Sequence, residues 1–300
     1  MTWARYFCVA ILLPLSLSVS ADTPVFEIGK FSLDPRKQIP QIQPMADFLA
    51  NQMQPFGYES GRASVFANFD SARQALSEGG LDMMTTSLYE AAQMIVEGEA
   101  VPLAVKWKNG LSEYSSLIVV NADSDIYELE DLAGKTIAFE DPGSTSAFFI
   151  PYMALQNSNL SLSEIGSGSG NQENTVSYRF TGAEQNSSVI LFQNKVDAIA
   201  LSDYDWLKND HVPAAQKENF RIIWISDPYP SAMEIISTGI PTEQRAYLRN
   251  ALVRLHLSED GQKVLDEYHE TSRFSRLSDE IREQLDSFTN FLATGQFLIE

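Results

Sequence analysis

Cysteine is nearly absent: the 300 residues hold one, Cys8, inside an apolar run close to the start. Disulfides and thiolate metal sites are therefore excluded from any mature form that lacks this segment, and an apolar core has to hold the fold. Histidine is scarce as well. His211, His256 and His269 stand isolated, none at a metal-ligand spacing from another histidine or a cysteine, so no metal site is expected. The acids Asp203 and Asp205, or Glu128, Glu130 and Asp131, lack the spaced Asp/Asn-Gly pattern of a calcium loop and read as solvated faces. There is no Gly-x-Ser-x-Gly elbow, which argues against a serine hydrolase. Positive charge is also short, 21 Lys and Arg against 40 Asp and Glu, giving −19. That balance disfavours nucleic acid or an anionic membrane surface as a partner. An anionic ligand would have to be held by local dipoles. No apolar run reaches the roughly 20 residues of a membrane span. The longest, Tyr6 to Leu17, follows Arg5 and ends at Val19-Ser20-Ala21, the pattern of an export signal cut after Ala21. Cys8 lies within the run, not at its end, so lipid anchoring is not expected, and the mature chain is expected to begin at Asp22.

Short β-rich runs alternate with segments of helical period, as in an α/β protein with largely parallel sheets. A strand is predicted over Val25 to Phe31. A helix follows near Gln41 to Gln54, where Met45, Phe48, Leu49 and Met53 recur at helical spacing. Gly80 to Thr86 reads as a strand between helices at Asp70 to Ser77 and Leu88 to Val96. Further strands are expected at Ser115 to Asn121, Lys135 to Glu140, Val176 to Phe180, Val196 to Leu201 and Arg221 to Ile225. A helical block follows Pro241, with Tyr247, Leu248, Leu252 and Leu255 on one face, and Leu277 to Phe291 continues it. Gly166 to Gly170 (GSGSG) has no following Lys-Ser/Thr and reads as a flexible loop instead of a phosphate cradle.

Tyr114 to Pro151 is the most informative stretch. Lys135 to Glu140 forms a strand, Asp141-Pro142-Gly143 breaks it, and Ser144-Thr145-Ser146 opens a helix. Unpaired backbone N–H groups and a dipole of about half a positive charge at a helix start favour an anion, and three hydroxyls can donate to it. Gly143 lets a ligand approach the backbone. The bland alternative makes Ser144 a helix cap and no more, which leaves two neighbouring hydroxyls without a reason. Glu130, Asp131, Leu132 and Gly134 read as the cap and turn of a short helix.

The order Tyr-x-Ser, strand, Asp-Leu-x-Gly-Lys, strand, Asp-Pro-x-Ser-Thr-Ser in this stretch resembles the core motif of phosphate-, phosphite- and phosphonate-type periplasmic binding proteins of ABC importers. Weaker likeness runs from Ile28-Gly29 through Gly80-Leu81-Asp82 and Thr85 to Tyr89 to Val196-Asp197-Ala198. The resemblance implies a type II periplasmic binding protein, an α/β fold of two lobes, each a mostly parallel sheet flanked by helices. Two crossovers near Lys108 to Glu113 and Ile225 to Pro230 would join them. Residues 22–110 and 228–300 would then build lobe one and residues 111–227 lobe two. It further implies a monomer without cofactor or enzymatic activity that closes on a small oxyanion and meets ABC permease subunits in the inner membrane. A sensory module that signals to a membrane kinase or cyclase would need the same clamp, and an enzyme acting on phosphoesters is a third, weaker reading.

Carried over residue by residue, the resemblance makes Ser144, Thr145 and Ser146 the oxyanion cradle and Tyr89 a cleft contact. Phe69 replaces a family tyrosine and offers only packing. Glu184 stands where the family has a ligand-binding histidine, while Tyr204 and Ala232 stand where aminophosphonate binders carry carboxylates. An ionised Glu184 about 4 Å from an anion would oppose it by about 4 kcal/mol at an effective dielectric of 20. Glu184 therefore takes a proton from the ligand, pairs with a cationic part of it, or points away.

Overall fold

The computed structural model describes residues 24–32, 35–166, 174–269 and 271–295. The export signal at 1–21 and most of the Gly166 to Gly170 loop lie outside them. The chain runs through β1 (Val25–Phe31), α1 (Pro35–Met53), β2 (Ser60–Phe66), α2 (Phe69–Ser77), β3 (Met83–Thr86), α3 (Leu88–Val96) and β4 (Ala100–Lys108). It crosses at β5 (Glu113–Tyr114) into β6 (Ser116–Asn121), β7 (Thr136–Phe139), α4 (Ile150–Asn157), β8 (Ser161–Glu164), β9 (Thr175–Phe180) and α5 (Glu184–Phe192). β10 (Ala198–Ser202), α6 (Asp203–Leu207), α7 (Ala214–Lys217) and β11 (Phe220–Ile225) complete that unit. The chain returns at β12 (Tyr229–Pro230) to β13 (Met233–Ser237), α8 (Thr242–Arg254), α9 (Glu259–Glu267), β14 (Thr271–Ser275) and α10 (Asp279–Ala293).

Two six-stranded sheets result, ordered β14-β4-β13-β3-β1-β2 and β11-β6-β10-β7-β9-β8. In the first, β2, β1 and β3 are parallel, and β13, β4 and β14 add antiparallel pairings. In the second, β8, β9, β7 and β10 are parallel, with β6 and β11 antiparallel. β13 sits between β3 and β4 although the whole second unit separates it from them in sequence. The two crossing segments pair with each other, Tyr114 opposite Tyr229 and Glu113 opposite Pro230, and the tyrosine rings meet edge to face at 4.9 Å.

Apolar periodicity explains where the elements sit. Met45, Leu49 and Met53 of α1 are fully buried against Phe26 and Ile28 of β1, each such side chain contributing about 1.5–3 kcal/mol. Leu248, Leu252 and Leu255 are buried in the same core, whereas Tyr247 lies outward with its ring 5.4 Å from Phe56. The second core gathers Ile118, Val120, Ile137, Phe139 and Phe148. α10 joins the units: Phe288 and Phe291 stack edge-on against Phe149 at 5.1 and 5.9 Å, and Phe149 belongs to the chain that follows β7.

One polar pair lies inside the first unit. Glu234 is fully buried in β13; it accepts the Thr85 hydroxyl at 2.5 Å and the Tyr268 hydroxyl at 3.4 Å. Lys106, also buried, holds its ammonium 3.9 Å from the centre of the Tyr268 ring. Burial pulls the Lys106 ammonium down to about 7 against the opposing pull of Glu234.

Candidate functional site

After β7 the chain bends at Asp141, whose carboxylate accepts the Gly143 N–H at 2.7 Å. Ser144 then caps the next helix, its Oγ accepting the Ala147 N–H at 3.1 Å. The first turn, Thr145–Phe149, is a π-turn that leads directly into α4. Pro151 accounts for this, because it lacks the N–H that would close an ordinary turn there. The carbonyls left over find other donors: the Ser116 hydroxyl takes Ser146 C=O, and the Glu140 N–H takes Ala147 C=O at 3.3 Å.

The three hydroxyls do different things. Ser144 Oγ accepts the Ala147 N–H and also bonds the Glu140 side chain, which draws that carboxyl down against the larger effect of burial. Thr145, almost fully buried, accepts the backbone N–H of Tyr89 at 3.0 Å, a bond that links the two units. Ser146 lies beside the hydroxyls of Tyr114 and Tyr229 in the crossing segments; burial pushes both phenols far above their ordinary range, and Ser146 partly offsets it.

A cavity of about 310 Å³ adjoins these residues. Ser144, Thr145, Ser146, Glu184 and Tyr204 line it from the second unit. Ser87 and Lys108 close it from the first unit, and Tyr114 and Ser231 from the crossing segments. Tyr89 does not line this cavity; it lines a neighbouring one between the units, where it and Glu90 face Asp141, Pro142 and Gly143. As the second residue of α3 it turns inward, is 1% exposed, and stacks on Phe149 at 4.3 Å and 16°. Its amide reaches the hydroxyl cradle directly, through Thr145.

Glu140, Lys108 and Lys208 line the same cavity and carried no recognised signal in the sequence, and Asp205, expected on a solvated face, lines it as well with 14% of its side chain exposed. Lys208 ion-pairs with Asp205 at 3.0 Å and lies 4.1 Å over the Tyr204 ring. Burial, then Glu184 and Asp141, pushes the Glu140 carboxyl from 4.5 up to about 8. The folded chain thus holds a proton that the unfolded chain releases between those two values. Stability from this group is present below pH 4.5 and is lost as pH rises to about 8. Melting curves of Glu140→Gln should be flatter over that window than those of the unsubstituted protein; parallel curves would contradict the placement.

The two units also meet at Gly143. Glu90 of α3, itself buried, accepts the Thr86 hydroxyl and the Ser87 N–H. A methyl on Gly143 would stand 3.1 Å from Glu90 Oε1 and 3.2 Å from Asp141 Oδ1. Gly143→Ala should therefore oppose closure and weaken ligand binding about 10-fold, given about 1–3 kcal/mol for overpacking. Calorimetry, with small-angle scattering to read the open fraction, checks this.

Two α/β units tied by paired crossing strands, with a cavity walled by both, define a hinge-bending solute-binding protein of the type II periplasmic class. The sequence profile of the family described as ABC transporter, phosphonate, periplasmic substrate-binding protein matches residues 32–281, and the chain belongs to that family. Its members are periplasmic and serve ABC transporters. Among solved structures the chain is similar to XAC2383 from Xanthomonas citri bound to chloride ion, with 25% identity over 90% of this chain and 98% of that one and a TM-score of 0.81. The same protein bound to ATP gives 24% identity, 92% and 99% coverage and a TM-score of 0.82. PhnD1 from Prochlorococcus marinus in complex with methylphosphonate shares the fold at 15% identity, 91% and 99% coverage and a TM-score of 0.62.

Proposed function

We propose that the chain captures a small oxyanion of the phosphonate or phosphate type between two lobes, residues 22–110 with 228–300 and residues 111–227. It then presents the closed form to the permease subunits of an ABC importer, acting as an exported monomer without catalysis. The observation that carries this reading is the cavity itself: Ser87 and Lys108 face Ser144, Thr145, Ser146 and Lys208 across it. A ligand there touches both lobes only when they are closed, so binding shifts the population toward closure. Donors come from hydroxyls and two ammonium groups, with the helix dipole behind them. The relatives solved with chloride, ATP and methylphosphonate each hold an anion. About 310 Å³ is at the small end for a ligand site and favours a solute of few heavy atoms over a nucleotide. A binding role rather than catalysis is supported by Ser144, whose Oγ is engaged as a cap.

The test is a thermal-shift screen of phosphate, phosphite, methylphosphonate, aminoethylphosphonate and ATP in chelator-treated buffer, followed by calorimetry. A small phosphorus oxyanion should raise the melting temperature most. Glu184→Gln should tighten binding of a fully ionised anion about 10-fold in that buffer, because it removes a like charge. Silence from every anion in both proteins would defeat the proposal.

A further inference from the structure

Three side chains able to ligate a metal converge beside the oxyanion cradle. Glu184 opens α5, Asp205 lies in α6 and His211 follows it; one oxygen or nitrogen from each lies within 4.8 Å of the other two. Sequence spacing hid them, because the fold brings α5 to the segment after β10.

Asp205 and His211 are held from behind, and Glu184 bonds the Glu140 side chain. Asp205 Oδ2 accepts the Ser202 hydroxyl at 2.6 Å, which fixes the carboxylate plane. His211 is anchored by its backbone: its carbonyl accepts the Ser188 hydroxyl at 2.9 Å and its N–H reaches Lys208 C=O at 3.3 Å. The ring is not satisfied in the same way. His211 Nδ1 is shielded from solvent and lies 3.0 Å from Asp205 Oδ1, yet the two lack the alignment of a hydrogen bond. A shielded polar atom without a partner costs about 1–3 kcal/mol, and a shared cation would remove that cost.

We propose that Glu184, Asp205 and His211 form a divalent transition-metal site whose remaining coordination positions take an oxygen of the anion at Ser144 to Ser146, so that the solute is captured as a metal–anion pair. This rests on the oxyanion-capture reading above. Two carboxylate oxygens and one imidazole nitrogen suit Zn²⁺ or Mn²⁺. Mg²⁺ keeps its waters and prefers oxygen throughout. The charge problem at the cavity wall is answered in the same step. Glu140, Glu184 and Asp205 all line the anion's place, and a dication among them offsets two negative charges. Lys208 now occupies Asp205 Oδ1, with about a third of its side chain exposed, so metal loading exchanges this ammonium for the ion.

The experiment strips the mature chain with EDTA and titrates it by calorimetry with Zn²⁺ and with Mn²⁺ alone, and with Co²⁺ while following visible absorption. One equivalent is expected. Glu184→Gln and His211→Ala should each weaken it at least about 10-fold, the lower bound for losing even an outer-shell partner. Lys208→Met should tighten it about 10-fold, a gain that misfolding does not imitate. Methylphosphonate should bind at least about 10-fold tighter with metal than in EDTA, and Glu184→Gln, the tighter binder in EDTA, should become the weaker one with metal. No binding of any of the three ions, or one equivalent indifferent to all three substitutions, overturns the site. If methylphosphonate binds equally with and without metal, the metal–anion pair is wrong while oxyanion capture stands. If no oxyanion binds under either condition, both are wrong.

Discussion

A Ser144→Asp variant should keep its helix cap, melt lower because the new carboxylate meets Glu140, and lose affinity for methylphosphonate by about 1000-fold. Aspartate caps a helix as well as serine, and its charge suits the positive end of the dipole, so the bond to the Ala147 N–H survives in kind. The carboxylate, however, takes the place from which Ser144 would donate a proton. Two like charges about 4 Å apart cost about 4 kcal/mol at an effective dielectric of 20, which is about 1000-fold in affinity. Separating cap from ligand contact is what makes this variant informative. If Ser144 only terminates the helix, calorimetry will find affinity unchanged, and the cradle must be sought elsewhere.

The second large effect lies away from the ligand. Glu234→Leu strips the buried Lys106 ammonium of its acidic partner, and Thr85 and Tyr268 lose an acceptor. Leaving one of two attracting buried charges behind costs up to about 3–5 kcal/mol, and the midpoint of urea unfolding should fall accordingly. The double variant Lys106→Met with Glu234→Leu should recover most of that loss, because two matched apolar side chains leave no buried charge. A double variant as unstable as the single one would mean that the surrounding hydroxyls, and not the attraction between Lys106 and Glu234, dominate.

Much of the fold was readable because the relevant signals are local. β1 and α3 lie where periodicity placed them, and the bend from β7 through Gly143 into the Ser144 cap follows from its turn residues. β4 was not readable. Pro102 and the charged Lys106 and Lys108 break the look of a strand, yet the register shift opposite Pro102 accommodates the missing N–H, and Lys106 is answered by a partner 128 residues on. Long-range pairing of this kind leaves no local trace. The same holds at the site. Ser144, Thr145, Ser146, Glu184 and Tyr204 share one cavity, while Tyr89, whose ring stacks on Phe149 60 residues away, lines a neighbouring one. His211 was dismissed on spacing because Glu184 and Asp205 become its neighbours only once β10 is paired.

The insertion of β13 between β3 and β4 has a consequence for how the molecule comes into being. Every strand of the second sheet lies within residues 116–225, so that half can mature as soon as its own segment is available. The first sheet keeps a gap at its centre until Met233 to Ser237 arrives. During synthesis from the amino terminus, the earlier strands must wait beside a finished neighbour with an unpaired edge between them, which is the interval in which a holding chaperone is needed most.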